Sequence, residues 1–534
     1  MKSSATNEAS ALFPAILILL TILLLCSAAR PCAAQWAATY AGVGAADAEY
    51  IQQTRDGGYI VVAESNLIAG GQDFWVFKLA GDGTVQWQKL YGGAALEDAQ
   101  PIQQTSDGGY IVAGQTHSFG DAANGDVWVI KLFPDGNVDW QKTYGGGGED
   151  EAMAIQQTDD DGDGVADDGY IVANFTDSFG AGGDIWLLKL GAAGNVQWQK
   201  TYGGGGREDV FSIRQTSDHG YIVAGVTDSF GAGDQDVWIL KLKPDNAVGG
   251  PGQIDWQKIY DTGGNESPSA IQQTDDDGGG VADDGYVVAG LIDAGAGGIR
   301  FWVFKINADG TTIAWSKIYG AGPRDFATSI QQTNDHGYIV AGATGIPPDF
   351  WVLKLFPDGN VDWQKAYGGP LSERRAESIE MTMDGGFITA GSSQSFGTGN
   401  DVLVIKLRQD GSIGPSCNLA RGTEASVVDS EVTIQATAID GSETGVIPQT
   451  STAEPQDTTM SANFVCRTPE DCRNGTDDDL DGQVDCEDRE CWGHSACPAP
   501  VPLVTPLGWI AMVVVVTLCG IWGLRRTFGS PLTL

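Results

Sequence analysis

The chain has 534 residues, 75 of them glycine, and a formal charge of −40 from 30 Lys and Arg set against 70 Asp and Glu. So acidic a surface repels nucleic acid and anionic membrane surfaces, and it favours solubility and divalent cations. Nucleic-acid binding is therefore not expected. The glycines alternate with apolar and aromatic runs, which indicates turn-rich β structure rather than a disordered tract.

The chain opens with an apolar run at residues 15–26, followed by small residues through Ala34. Residues 1–34 fit a secretory signal peptide cleaved after Ala34. Lys2 is offset by Glu8, so an uncleaved anchor is the alternative, and Leu25 before Cys26 argues against a lipoprotein site.

From here one phrase organises the chain: Ile102-Gln-Gln-Thr-Ser-Asp-Gly-Gly-Tyr110-Ile-Val-Ala-Gly114. Its aromatic anchor returns at Tyr59, Tyr110, Tyr170, Tyr221, Tyr286, Tyr338 and Phe387, at spacings of 51, 60, 51, 65, 52 and 49. A period of this size built from short β-type runs marks a repeat architecture. In the second unit the pattern predicts strands at 99–105, 109–114, 126–132 and 138–144, each bounded by Gly, Asp or Asn. Asp107-Gly108 and Asp135-Gly136 supply the tight turns, where glycine accepts positive φ without steric penalty.

Two tryptophan series keep the same register. The third strands carry Trp75, Trp128, Trp186, Trp238, Trp302 and Trp351, with Leu403 in the seventh unit. The fourth strands carry Trp87, Trp140, Trp198, Trp256, Trp315 and Trp363, and there the series stops. The missing strand stands at the beginning, where Gln35-Trp36-Ala-Ala-Thr-Tyr40 mimics Gln197-Trp198-Gln-Lys-Thr-Tyr202. A strand borrowed from the first residues closes a ring of four-stranded units, whereas a linear solenoid calls for polar caps. Residues 35–415 are therefore expected to form an all-β, seven-bladed β-propeller closed by an N-terminal strand. These units resemble the delta-60-like repeats of large bacterial secreted proteins, a resemblance that implies the propeller but no particular activity.

Two blades carry acidic insertions in one hairpin. Asp159, Asp161, Asp163 and Asp167 keep calcium-loop positions 1, 3, 5 and 9, with Gly164 at 6. In the second insertion, between Asp275 and Asp284, Gly279 takes position 5, so a flexible acidic turn is expected. Either insertion could also face a ligand. The loops at Ser118-Phe-Gly120, Ser178-Phe-Gly180, Ser229-Phe-Gly231 and Ser395-Phe-Gly397 lead into strands and lack Gly-Lys-Ser/Thr, so they are not phosphate loops. Asp73, Asp126, Asp184, Asp236, Asp349 and Asp401 precede the third-strand aromatic and are read as turn or bulge caps, with Arg300 in their place in the fifth unit. The tryptophans are read as inter-blade packing.

No nucleophile motif appears. His219 and His336 replace a turn glycine, and His117 sits in a loop. The units look like close copies, so no catalytic residues are assigned and no enzymatic activity is expected. Arg207, Arg324, Arg374 and Arg375 are scarce cations beside the Tyr-Gly turns, expected to pair with neighbouring carboxylates or to mark a ligand mouth.

Residues 416–467 are read as a Cys-bounded β module or linker. Cys417, Cys466, Cys472, Cys486, Cys491 and Cys497 form an even set with open disulfide connectivity. Residues 468–498 form an acidic motif in which Asp477, Asp479, Asp481, Gln483, Asp485 and Asp488 occupy positions 1, 3, 5, 7, 9 and 12 of an EF-hand-type loop around Gly482. Such hard oxygen ligands suit Ca2+. Position 12 is Asp rather than Glu, and a solvated acidic spacer held by disulfides is the alternative. The motif resembles acidic Cys/Asp modules near the C-termini of bacterial surface proteins.

Residues 499–526 comprise a proline-rich spacer and an apolar run at 507–524 followed by Arg525 and Arg526, with a tail at 527–534. The run is long enough to span a bilayer, and the arginines place the tail in the cytoplasm. This end resembles an IPTL-type C-terminal sorting signal, which implies temporary anchoring before display or release, although the typical lead is missing and the tail is long. A plain single-pass anchor is the alternative. The expected protein is an exported bacterial β-propeller at the cell envelope, binding an extracellular polysaccharide or protein with Ca2+ as cofactor. A polymer hydrolase or lyase and a structural envelope component are the rival readings.

Overall fold

The structure is a computed structural model. It describes residues 35–413, apart from 41–44, 67–70, 232–234, 294–297, 321–323, 372 and 397–398, together with parts of 419–467. Residues 1–34, read as a signal peptide, the 468–498 motif, the apolar run at 507–524 expected to span a bilayer, and the tail lie outside the described residues. Cys417, Cys472, Cys486, Cys491 and Cys497 lie outside them too.

The repeat folds as a seven-bladed β-propeller. Blade 1 comprises Ala46–Gln53, Tyr59–Ser65, Asp73–Leu79 and Val85–Tyr91, paired antiparallel in chain order from the axis outward. In blade 2, Glu97–Gln104, Tyr110–Thr116, Asp126–Leu132 and Val138–Tyr144 match the strands expected from the sequence within about two residues. In blade 7, Trp36–Tyr40 pairs with Asp401–Leu407, so the first described strand completes the last blade as the offset predicted.

The core lies between blades, because both faces of each second and third strand are covered. Ile60, Val62, Phe74 and Val76 of blade 1 pack on Ala99, Ile102, Val112, Trp128 and Ile130 of blade 2. The third-strand tryptophans Trp75, Trp128, Trp186, Trp238, Trp302 and Trp351 are fully buried.

Each blade docks on its neighbour through one glycine. The turn between third and fourth strands places Gly83, Gly136, Gly194, Gly252, Gly310, Gly359 and Gly411 at φ between +65° and +82°. The fourth-strand tyrosine of the preceding blade donates to that glycine's carbonyl in all seven junctions, from Tyr40 to Gly83 (2.6 Å) through Tyr202 to Gly252 (2.7 Å) to Tyr367 on Gly411 (2.6 Å). The fourth-strand tryptophan lies against the bare α-carbon, and a Cβ on Gly136 would stand 2.7 Å from the Trp87 ring. The other edge of that tryptophan meets the next blade's anchor, as in Trp87 on Tyr110 and Trp363 on Phe387.

Residues 420–467 take a course the sequence did not suggest. Instead of pairing with one another as a separate module or serving as a free linker, their described strands each add a fifth strand to a blade, in reverse order around the ring. Ala420–Gly422 pairs with blade 6, Val427–Asp429 with blade 5, Thr433–Ala436 with blade 4 and Ser442–Glu443 with blade 3. Gln449–Thr450 and Gln456–Asp457 continue on blades 2 and 1, and Ala462–Arg467 ends on Trp36–Tyr40 in blade 7, with Cys466 opposite Ala37. The belt covers the outer edges that would otherwise offer unpaired backbone to other chains.

Substituting Gly136→Ala adds a side chain both to a left-handed backbone and to the Trp87 contact. It is expected to destabilise the propeller by about 2 kcal/mol, the sum of a left-handed conformational penalty and local overpacking. Urea unfolding followed by tryptophan fluorescence measures the loss, and an unchanged midpoint contradicts the assignment.

Candidate functional site: the central channel and its acidic loops

The seven inner strands surround a cavity of about 580 Å³ on the propeller axis. The repeated Gln-Gln pair of the organising phrase ties these strands together. The first glutamine accepts from the backbone N–H of the second on the next blade, as Gln52 does from Gln104 (2.6 Å) and Gln103 from Gln157 (2.7 Å). The second glutamine reaches back to the preceding blade's turn, as Gln104 does to Arg55 N (2.9 Å) and Gln332 to Asp275 N (2.9 Å). The phrase is thus a joint between blades as well as a strand-forming sequence.

Two blades depart from it, with Ile213-Arg214-Gln-Thr in blade 4 and Ile379-Glu380-Met-Thr in blade 7. Arg214 faces Tyr50 of blade 1 and favours its ionised form, and the Tyr50 hydroxyl meets Glu380 at 3.4 Å. Burial, and then Glu380, push the Tyr50 phenol up to about 12. Burial raises Glu380 to about 7 against the opposing pull of the Gln53 N–H and Arg214. Nearer the start of the inner strands, burial and then Glu377 hold Glu49 above the ordinary carboxylate range, and burial holds Glu377 up to about 7 although Arg375 bonds it at 2.5 Å.

The mouth at that end is also uneven. At one equivalent position, blades 1 to 4 carry Asp47, Asp98, Glu151 and Asp209, blade 5 Ser267, blade 6 Phe326 and blade 7 Arg375. Burial and then Asp98 lift Glu151 to about 7. The arginines noted in the sequence gather here. Arg374 pairs with Asp47 at 2.7 Å, and Arg207 pairs with Asp209 at 2.9 Å while stacking 4.0 Å from the Phe175 ring centre. Arg324 lies over Phe326. The reading of the blades as near copies holds for their packing surfaces and fails in the channel. The visible signal was the pair of departures from Ile-Gln-Gln-Thr at Arg214 and Glu380.

At the opposite end the first acidic insertion brings Asp159, Asp161 and Asp163 together, with one oxygen from each within 4.8 Å of the others. Asp167 faces the same group, and lost solvation followed by the repulsion of Asp163 and its neighbours pushes its carboxyl upward. In the second insertion Asp275, Asp277 and Asp284 converge within the same distance, so the loop that lacks position 5 is also a folded acidic turn. Asp159 accepts the N–H groups of Gly162 and Gly164, and Asp275 those of Gly278 and Gly280. The next blade braces each loop. His219 and His336, at φ +61° and +60°, donate from Nδ1 to the carbonyls of Asp159 (2.9 Å) and Asp275 (2.8 Å). These histidines do replace a turn glycine, and each accompanies an insertion in the preceding blade.

Each blade also fixes its first turn with an ion pair between a buried lysine and a partly exposed aspartate. Lys78, Lys131, Lys189, Lys241, Lys305, Lys354 and Lys406 meet Asp56, Asp107, Asp160, Asp218, Asp276, Asp335 and Asp384 at 2.6–3.0 Å. Burial alone would raise Asp384, but Lys406, Thr382 and the Gly386 N–H outweigh it and hold the carboxyl below its usual range. The aspartates read as caps do more than cap. Asp126 and Asp184 accept the Asp121 and Ala181 N–H groups through Oδ2. Their Oδ1 atoms turn inward towards Asp150 and Glu208, which begin the next blade.

Asp477, Asp479, Asp481, Gln483, Asp485 and Asp488 lie outside the described residues. Among known proteins, no family model matches this chain and no curated protein matches it.

The two kinds of carboxylate give opposite pH dependences. Groups held low, such as Asp384, stabilise above the ordinary carboxylate range and lose that contribution as pH falls through the lowered value. Groups held high, with Glu151, Glu377, Glu380 and Asp73 at about 7 and Asp184 at about 6, stabilise below the ordinary range and lose it as pH rises through 6 to 7. Metal-free protein is therefore expected to melt higher at pH 5 than at pH 8. Calorimetry in chelator at the two values checks the sign, and a higher melting temperature at pH 8 contradicts it.

Proposed function

We propose that the chain is an exported β-propeller of the cell envelope whose channel binds an extracellular polysaccharide. The carrying observation is that the sevenfold repetition breaks in the channel. There Tyr50, Arg214, Arg375, Glu377 and Glu380 replace the repeat's own residues with aromatic, cationic and anionic groups. Carboxylates and guanidinium groups suit sugar hydroxyls as acceptors and donors, and Tyr50, Phe211 and Phe326 supply apolar faces. The charge of −40 disfavours polyanions and directs the reading to neutral or amino-sugar polymers.

Residues 1–34 support export, and the run at 507–524 with Arg525 and Arg526 supports anchoring by a single helix, with sorting or release as the variant the IPTL-type resemblance implies. Ca2+ at Asp477–Asp488 and in the Asp159–Asp167 loop is proposed to order the acidic segments, and disulfides to close the C-terminal module. A second reading, a hydrolase or lyase, draws on Glu377 and Glu380. These are two channel carboxyls near neutrality, the range in which a buried acid can serve as proton donor.

The test is affinity electrophoresis of the full chain in detergent through gels carrying a neutral β-glucan, an amino-sugar polymer or alginate. Retardation by either of the first two but not by alginate is expected. Glu377→Gln should weaken it about tenfold, roughly 1.4 kcal/mol. No retardation by any polymer, with the ring folded by circular dichroism, overturns the proposal. Soluble fragments released by the native chain and not by Glu377→Gln move the assignment to the second reading.

A further inference from the structure

The junction between blades 4 and 5 carries a charged residue where five others have glycine. After the fourth-strand tyrosine, blades 1, 2, 3, 5 and 6 have Gly92, Gly145, Gly203, Gly320 and Gly368, and blade 4 has Asp261. These glycines press on buried carboxylates. A Cβ at Gly92 would stand 1.8 Å from Asp73 Oδ1 and 2.8 Å from Glu97 Oε2, and one at Gly203 would stand 1.6 Å from Asp184 Oδ1 and 2.7 Å from Glu208 Oε2. Asp261 thus brings a third carboxylate to the place where two already meet and where five other blades carry no side chain.

Asp236, Asp261 and Glu266 are all buried, and one oxygen from each lies within 4.8 Å of the others. Glu266 is 1 % exposed. Its Oε1 accepts from Thr262 Oγ1 and from the Gly264 N–H, whereas its buried Oε2 accepts no hydrogen bond. Asp261 Oδ1 accepts the Gly263 N–H at 2.5 Å. Among the described residues no lysine or arginine pairs with Asp261 or Glu266. Three buried carboxylates this close repel one another and forgo hydration, an arrangement that proteins compensate by pairing or metal ligation. Burial and Asp261 accordingly push the Glu266 carboxyl upward.

We propose that Asp236, Asp261 and Glu266 hold a divalent cation, calcium by its chemistry, between blades 4 and 5. Oxygens bound to Ca2+ lie about 2.4 Å from the ion and so at most about 4.8 Å from one another. The trio satisfies that limit. The donors are hard oxygens with no histidine or cysteine among them, which suits calcium rather than zinc. The free Oε2 of Glu266 becomes a ligand, and the ion joins the fourth strand of blade 4 to the inner strand of blade 5. The site is separate from the Asp159 and Asp275 loops, which stand at the other end of the inner strands.

The experiment uses the full chain, stripped with chelator and titrated with CaCl2 by equilibrium dialysis with elemental analysis. Asp261→Gly restores the residue that five other blades carry and so keeps the fold. It is expected to bind one calcium fewer per chain and to lose part of the calcium-induced rise in melting temperature. Asp159→Asn, in the separate loop, should leave the site intact. Unchanged stoichiometry and affinity in folded Asp261→Gly overturns the proposal. Crystals of the native chain soaked in TbCl3 give a check that needs no variant. An anomalous peak among the three carboxylates supports the site, and terbium bound elsewhere with none there overturns it.

Discussion

The ring depends on how each blade recognises the turn of the next. A left-handed glycine presents its carbonyl to one tyrosine and its bare α-carbon to one tryptophan, so the turn's conformation and the packing between blades are a single constraint. Because the contact recurs seven times, the inclination between blades is set once and repeated. Closure requires no separate device. Trp36 and Tyr40 meet Gly83 as Trp87 and Tyr91 meet Gly136, which makes the seventh blade equivalent to the rest although its strands come from both ends of the described chain. The belt over 420–467 then covers the outer edges that this closure leaves open.

Against this repetition, departures carry the chemistry. The first glutamine of Gln-Gln becomes Arg214 in blade 4 and Glu380 in blade 7, and the two meet at Tyr50. A glycine becomes Asp261 at a buried carboxylate pair. Turn glycines become His219 and His336 where the preceding blade carries an acidic insertion. In each case the substitution reverses the local rule by placing charge where the repeat keeps a neutral joint, or a side chain where it keeps none. A partner on the other side of the contact makes each change intelligible.

The propeller was legible because period, turn glycines and two tryptophan series agree at every level, and because the strand missing at Ser412-Ile413 reappears at Trp36. The converging Asp159, Asp161 and Asp163 were legible too, since calcium-loop spacing is a local property. The belt was not. Strands of two to six residues have no periodicity to read, and their pairing partners lie far away in sequence. The role of Gln-Gln was hidden for a related reason: it appears within one blade in the sequence but acts between blades in the structure. Asp261 looked like one more acidic residue until the fold placed it against Glu266.

The molecule divides into a symmetric scaffold and an asymmetric channel, and one variant separates them. Arg214→Gln with Glu380→Gln returns both positions to the repeat's own residue, so the inter-blade joints should survive. Glycan-array binding of this double variant beside the native chain, with unfolding followed in parallel, is the most direct measurement. An unchanged or raised melting temperature is expected together with lost binding to the polysaccharides the native chain retains. Native binding in the folded double variant would contradict it.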